Sequence, residues 1–426
     1  MARTKLQADT TYQKTVLKNG LRVVTEHIPS VRSITLGVWF DVGSRNESED
    51  VNGVSHLIEH MLFKGTKNRS SKEIASSLES IGGSLNAFTS KEQTCYIARI
   101  LDEHLTEAVD VLADITCNAT LTPTNLVREK KVVCEEIVES LETPSDHIHE
   151  LFAKTYWGAN PLGRPILGEL DGITSMPRAK IVKYIQNNYK AGSVVIAASG
   201  SVSHSKLVKL VKERFHFPEG KAETFVPATR EKETSLSVVP NNNNQIHLCV
   251  GYPGLDYTAK EKLTALAMHV SLGGGMSSTL FQKIREEKGL AYTVFTFLDI
   301  YRDAGIFGAY LATDKKNLKS AVDITLKQME MLKKKRLTED ALGKVKAQLK
   351  GQLTIGMEST SSRMNRLARN EIVLGEYRPM KNTLKEIDRI TTSDILAVSN
   401  SLFNRSKLAV AVLGPVRKDD LNHVIG

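Results

Sequence analysis

The chain has 426 residues, 41% of them hydrophobic, with 57 basic and 48 acidic side chains and a formal net charge of +9. That length exceeds what one core usually sustains and the charge content excludes a disordered chain, so two or more globular domains are expected. The basic residues are dispersed without a nucleic-acid-binding motif, no apolar run approaches the roughly eighteen residues of a membrane span, and Cys95, Cys117, Cys134 and Cys249 read as reduced thiols rather than a disulfide scaffold.

The first residues, Met1 to Asp9, lack the apolar core of a secretory signal. Strand-like sequence begins at Thr15 to Leu17 and again at Leu21 to Val24, too soon for a removable mitochondrial leader. A bacterial cytoplasmic protein is expected, with a mature, trimmed mitochondrial matrix chain as the alternative. Ser33 to Phe40 predicts a further strand.

Next comes His56-Leu-Ile-Glu59-His60. On a helix, imidazoles at i and i+4 share one face and both reach a single Zn²⁺ ion, and Glu59 is placed to hold a water as general base. The order H-x-x-E-H is the inverzincin signature. A catalytic zinc needs a third protein ligand on another rigid element. Beyond a helix at Ser71 to Ile81, a Gly82-Gly83 turn, a strand from Asn86 to Ile100 and a helix at Leu105 to Cys117, the helix Leu126 to Leu141 supplies it. Glu129 and Glu136 lie seven residues apart there, hence on one face. Glu136 is assigned as third ligand and Glu129 as the residue that orients a ligand or water. Cys134 turns away from Glu136.

His147 and His149 have the wrong offset for a helical metal pair and are expected to face solvent. The Pro- and charge-rich stretch from His216 to Glu233 reads as a linker, giving a zinc-binding domain over 1–225 and a homologous metal-free domain over 226–426. Asn241 to Asn244 is a polar connection. The second half repeats the order of the first, with a strand Gln245 to Tyr252, helices at Leu263 to Leu272 and Leu280 to Glu287, a strand Tyr292 to Leu298 and long helices at Leu318 to Lys333 and Glu339 to Leu353. Aligning Gly65 with Gly275 sets Leu266, His269 and Val270 opposite His56, Glu59 and His60, so one zinc per chain follows. Gly273-Gly274-Gly275 lacks the Gly-Lys-Ser/Thr of a nucleotide loop and reads as a tight turn, and Lys333 to Arg336 as a solvated helix end. Strands mixed with long helices suggest an α+β fold, two α/β sandwiches with helices layered on a mostly antiparallel sheet.

Four stretches resemble one family: Gly53 to Thr66 around the His-Glu-His motif, Glu136 following 76 residues after His60, Gly82 to Thr89, and Gly273 to Tyr292. The chain is similar to the pitrilysin/insulinase zinc peptidases, above all to processing peptidases such as the mitochondrial catalytic subunit and its bacterial relatives. The resemblance implies a zinc metalloendopeptidase acting on extended or unfolded peptides, including basic presequence-like segments. It implies that Asn86, Ala87, Phe88 and Thr89 form an edge strand that binds substrate by β-addition. It further implies that Arg285 and Tyr292, seven residues apart, reach the zinc site of another protomer, hence a homodimer. A heterodimer with a metal-free homologue is the alternative. A structural core-type subunit fits poorly with an intact motif. Glu135, Glu139, Glu142, Asp146, Glu169 and Asp171 would attract basic peptides if they line the chamber; a solvated acidic face explains them equally.

Overall fold

The computed structural model describes residues 11–230, 234–242 and 244–421, and the expectations for Met1 to Asp9, for 231–233 of the linker and for Asn243 lie outside them. Two sheets are built to one plan. The first has six strands, β1 (Thr11–Val16), β2 (Arg22–His27), β3 (Ser33–Phe40), β4 (Ser84–Thr89), β5 (Thr94–Leu101) and β6 (Val194–Gly200), in the order β1-β2-β6-β3-β5-β4. The second has five, β7 (Ser235–Pro240), β8 (Ile246–Pro253), β9 (Ala291–Ile300), β10 (Gly305–Thr313) and β11 (Ala409–Gly414), in the order β7-β11-β8-β10-β9. Each holds one parallel pair, β2 with β6 and β7 with β11, and is otherwise antiparallel. Without β1 the two orders coincide, so the repeat read from the order of elements is present in the topology.

The first half carries helices α1 (Val54–Leu62), α2 (Ser71–Glu79), α3 (Leu105–Asn118), α4 (Pro123–Glu142), α5 (Pro144–Trp157), α6 (Leu170–Ser175), α7 (Arg178–Asn188) and α8 (His204–Arg214). The second carries α9 (Lys262–Gly273), α10 (Leu318–Lys334), α11 (Glu339–Gly356), α12 (Thr360–Val373), α13 (Met380–Arg389) and α14 (Thr392–Leu402). The fold is α+β, as expected. One strand expectation is corrected: Asn86 to Ile100 is a hairpin, broken at the polar Ser90 to Gln93, where Ser90 N donates to Gln93 O at 2.8 Å. The helix expected over Leu280 to Glu287 is a six-residue π-helical turn, Phe281–Glu286.

Compactness divides the chain into two units, Met1–Val138 with Pro165–Val226 and Ile355–Tyr377, and Glu139–Arg164 with Pro227–Thr354 and Arg378–Gly426. A single cut near residue 225 does not reproduce this division. Helix α12, from the second half, packs on β2, β3 and β6, and α5, from the first half, packs on β7, β8 and β11. The reason is burial. Every residue of β3 after Ser33 is buried, which requires cover on both faces of the sheet. Ile34, Leu36, Val38 and Phe40 face the helices that include α1, α2, α3 and α8. Val24, Trp39, Cys95, Val195 and Ala197 face the other way and are closed by Met364, Leu367 and Ala368 of α12. Gly37 permits the approach, since a Cβ there would lie 2.8 Å from Met364 Sδ. Ion pairs Lys14–Glu371 (2.8 Å) and Arg363–Glu26 (2.7 Å) fasten the helix.

In the second unit Ile148, Phe152 and Tyr156 of α5 close over Cys249, Tyr310 and Ala411. This corrects the solvent-facing assignment of two histidines. The His149 ring packs 5.3 Å from Phe297 and 5.5 Å from Tyr310, and His147 Nδ1 is buried, because α5 is a covering helix rather than a surface one.

Candidate metal centre

Helix α1 starts at Gly53, whose φ of +88° only glycine adopts without strain and whose absent Cβ would otherwise meet Leu167 O at 2.6 Å. Glu47, buried upstream, accepts hydrogen bonds from Gly53 N (2.8 Å), Ser55 N (2.8 Å) and Asn52 Nδ2 (3.0 Å). It thereby satisfies donors that a helix start leaves open. Burial pushes its carboxyl up to about 7 against these bonds. Val54, Leu57, Ile58, Met61 and Leu62 are buried, which leaves His56, Glu59 and His60 on the face they do not fill.

The two imidazoles lie with ring centroids 4.7 Å apart. Glu136 Oε2, from α4, is 3.8 Å from His56 Nε2 and 3.5 Å from His60 Nε2. Ligands bound at about 2.0–2.2 Å on tetrahedral corners stand about 3.3–3.6 Å apart. The His60–Glu136 separation falls in that range and the His56–Glu136 separation slightly above it, so small side-chain adjustments bring the three donors around one zinc ion. Among the described residues they are the one group of three such ligands. Burial, with the neighbouring His60, pushes His56 down to about 4, which keeps its ring in the neutral form that binds metal.

Glu129, almost fully buried two turns before Glu136, accepts from His60 Nδ1 at 3.4 Å and pairs with Lys64 Nζ at 3.1 Å. With the ring proton on Nδ1, His60 donates to Glu129 and turns its Nε2 lone pair toward Glu136, the tautomer a zinc ligand requires. Glu59 Oε2 accepts from Thr89 Oγ1 at 2.6 Å. Burial pushes the Glu59 carboxyl up, Thr89 and His60 counter it, and Glu136 adds to it.

Asn86, Ala87, Phe88 and Thr89 lie on β4 at the edge of the first sheet, and among the described residues this strand pairs with β5 alone. Leu85 and Ala87 pack toward the helices, while Phe88 points to the opposite face, edge-on to Trp39. Arg285 and Tyr292 belong to the second unit. The Arg285 guanidinium stacks 4.3 Å over the Tyr292 ring, which is 73% exposed and therefore no core aromatic. Cys134 stands beside Thr174, at 3.5 Å, rather than among the ligands.

Three participants were not read from the sequence as such. Lys64 follows the motif closely enough to have been suspected. The Thr89 hydroxyl could have been placed by strand parity. Glu47 sits in an irregular turn without any periodic signal. In the second unit His269, the counterpart of Glu59, is held by Thr296 Oγ1 at 2.8 Å, and Val270, the counterpart of His60, is buried.

Residues 22–170 match the family model described as Insulinase (Peptidase family M16), and residues 175–349 match Peptidase M16 inactive domain. The chain is 35% identical to an uncharacterized zinc protease of Streptomyces coelicolor, over 96% of this chain and 90% of that one. It is 37% identical to an uncharacterized zinc protease of Bacillus subtilis, over 93% and 97%. A crystal structure of a protease from Helicobacter pylori superposes with a TM-score of 0.89 at 23% identity, covering 95% of this chain and 99% of that one. A chain of complex III2 from Candida albicans shares the fold, with a TM-score of 0.83 at 20% identity over 97% and 99%.

Proposed function

Because the chain belongs to peptidase family M16 and is a zinc protease, we propose that it is an endopeptidase of extended or unfolded peptides, with His56, His60 and Glu136 as zinc ligands and Glu59 as general base. The observation that carries this reading is the convergence of three ligand atoms within 4.8 Å of one another, next to the half-buried carboxylate of Glu59 on the helix that carries both histidines. When bound, zinc supplies a Lewis acid and lowers the pKa of a water to about 7.

Glu59 takes a proton from water as the water oxygen bonds to the scissile carbonyl carbon. It returns that proton to the amide nitrogen as the C–N bond breaks. Glu129, steadied by Lys64, holds the His60 ring in the ligating orientation. The open edge of β4, at Asn86 to Thr89, offers backbone groups to an extended peptide, which selects segments that are not already folded.

Arg285 and Tyr292 form a preassembled pair whose exposed ring suits contact with substrate or a second chain. They are assigned to the site of a partner copy in a homodimer. The acidic Glu135, Glu139, Glu142 and Asp146 favour basic, presequence-like substrates. No helix among the described residues is long and apolar enough to cross a membrane, and bacterial relatives support action in the cytoplasm.

The test is incubation of the purified chain with a basic, unfolded peptide, with zinc and with a chelator, products being read by mass spectrometry. Chelator-sensitive cuts near basic residues are expected. One bound zinc per chain without cleavage would overturn a self-sufficient enzyme and point to a metal-free partner chain.

A further inference from the structure

We propose that Thr89 is a positioning residue for Glu59: its hydroxyl, on the last residue of the edge strand, fixes the carboxylate of the general base and ties its place to that strand. The inference rests on the reading of Glu59 as base.

Three observations carry it. Thr89 Oγ1 donates to Glu59 Oε2 at 2.6 Å, a short, charge-assisted bond when the carboxylate is ionised. Among the described residues it is the one hydrogen-bond donor to that carboxylate. Strand alternation puts Thr89 on the face of Glu59, because Leu85 and Ala87 face the helices and Thr89 is next in that series, while Phe88 faces the other way. Finally, Thr89 ends the edge strand β4, the strand assigned above to peptide binding, and on that assignment peptide seating and base orientation meet in one residue.

The second unit carries the same device without the chemistry. Gly289 (φ +56°) stands seven residues before Thr296 as Gly82 (φ +75°) does before Thr89, and Thr296 bonds His269 where Thr89 bonds Glu59. The rival account is therefore that Thr89 only docks a strand on a helix, as Thr296 does. The two accounts differ in what they predict for turnover. A docking residue affects melting temperature and peptide grip. A positioning residue affects kcat, because a free Glu59 side chain would leave the geometry in which it transfers the proton.

Thr89→Val keeps shape and strand preference but loses the donor, and Thr89→Ser restores it. Thr89→Val is expected to lower kcat about tenfold, part of the 10²–10⁴ that general-base catalysis supplies. KM should stay within about twofold and one zinc per chain should remain, while Thr89→Ser should keep kcat within about threefold of wild type. A readout independent of turnover is the melting temperature of the metal-free protein, where the shifts of Thr89→Val and Glu59→Ala should not add. Unchanged kcat in Thr89→Val, a rise in KM alone, a serine variant as slow as the valine one, or additive melting shifts would each overturn the proposal. Should Thr89→Val not fold, Thr89→Ala takes its place. Failure of the underlying reading looks different, since Glu59→Gln would then retain turnover.

Discussion

His60 Nδ1 and Glu129 Oε2 stand 3.4 Å apart, and this contact decides which nitrogen of the ring is turned toward Glu136. Removing the partner with Glu129→Ala leaves the ring free to rotate or to place its proton on Nε2. Zinc affinity is expected to fall about 10–100-fold. Competition with a chromophoric chelator measures it, and wild-type affinity in the variant would remove Glu129 from this role.

Glu59→Gln is nearly isosteric and spares all three ligands. It should retain one zinc per chain and lose turnover by at least about 10²-fold. His56→Ala and His60→Ala should lose metal and turnover together. Metal content by atomic spectroscopy beside peptide cleavage separates the two classes, and an active Glu59→Gln would sink the assignment of the base.

Glu47 makes a stability prediction with a definite sign. Burial holds its carboxyl at about 7 in the folded protein against an ordinary 4.5. The folded state therefore carries the extra proton between those values, and this contribution to stability is full below about pH 4.5 and lost as the pH rises through about 7. Its span is about 3 kcal/mol. Glu47→Gln removes the titration, so the stability difference between wild type and variant, from urea denaturation at pH 5 and pH 8, should shrink by up to about 3 kcal/mol at the higher pH. The comparison cancels His56, which in the metal-free protein acts in the opposite sense, its stabilising neutral form being lost as pH falls from 6.5 toward 4. A difference independent of pH would contradict the prediction.

Met364 is fully buried on α12 and accepts a bond from Trp39 Nε1 at 3.0 Å. Met364→Ala should cost about 2–5 kcal/mol, because it opens a cavity under Trp39 and leaves the indole donor unpaired. Chemical denaturation followed by Trp fluorescence checks this, and a loss below about 1 kcal/mol would show that α12 contributes little to the first sheet.

Local periodicity carried much of this structure into the sequence. The offsets of His56, Glu59 and His60, and of Glu129 and Glu136, place these residues on helix faces without reference to the rest of the fold, and the long helices follow from apolar spacing alone. What stayed hidden depends on packing between distant segments. The turn at Ser90 to Gln93 lies between two apolar strands that read as one. The environment of His149 was invisible because nothing near α5 in sequence says which sheet it covers. The same holds for α12, whose partners Val24, Trp39 and Val195 lie more than 160 residues away in sequence.

The exchange of helices also imposes an order on synthesis. The last strand of the first sheet ends at Gly200, but the helix that closes its second face ends at Val373. At roughly 5–20 residues per second, the chain grows for about ten seconds or more with Trp39, Val24 and Val195 uncovered. Through that interval the nascent first unit lacks a finished core, and the apolar face that α12 later covers stays without its partner.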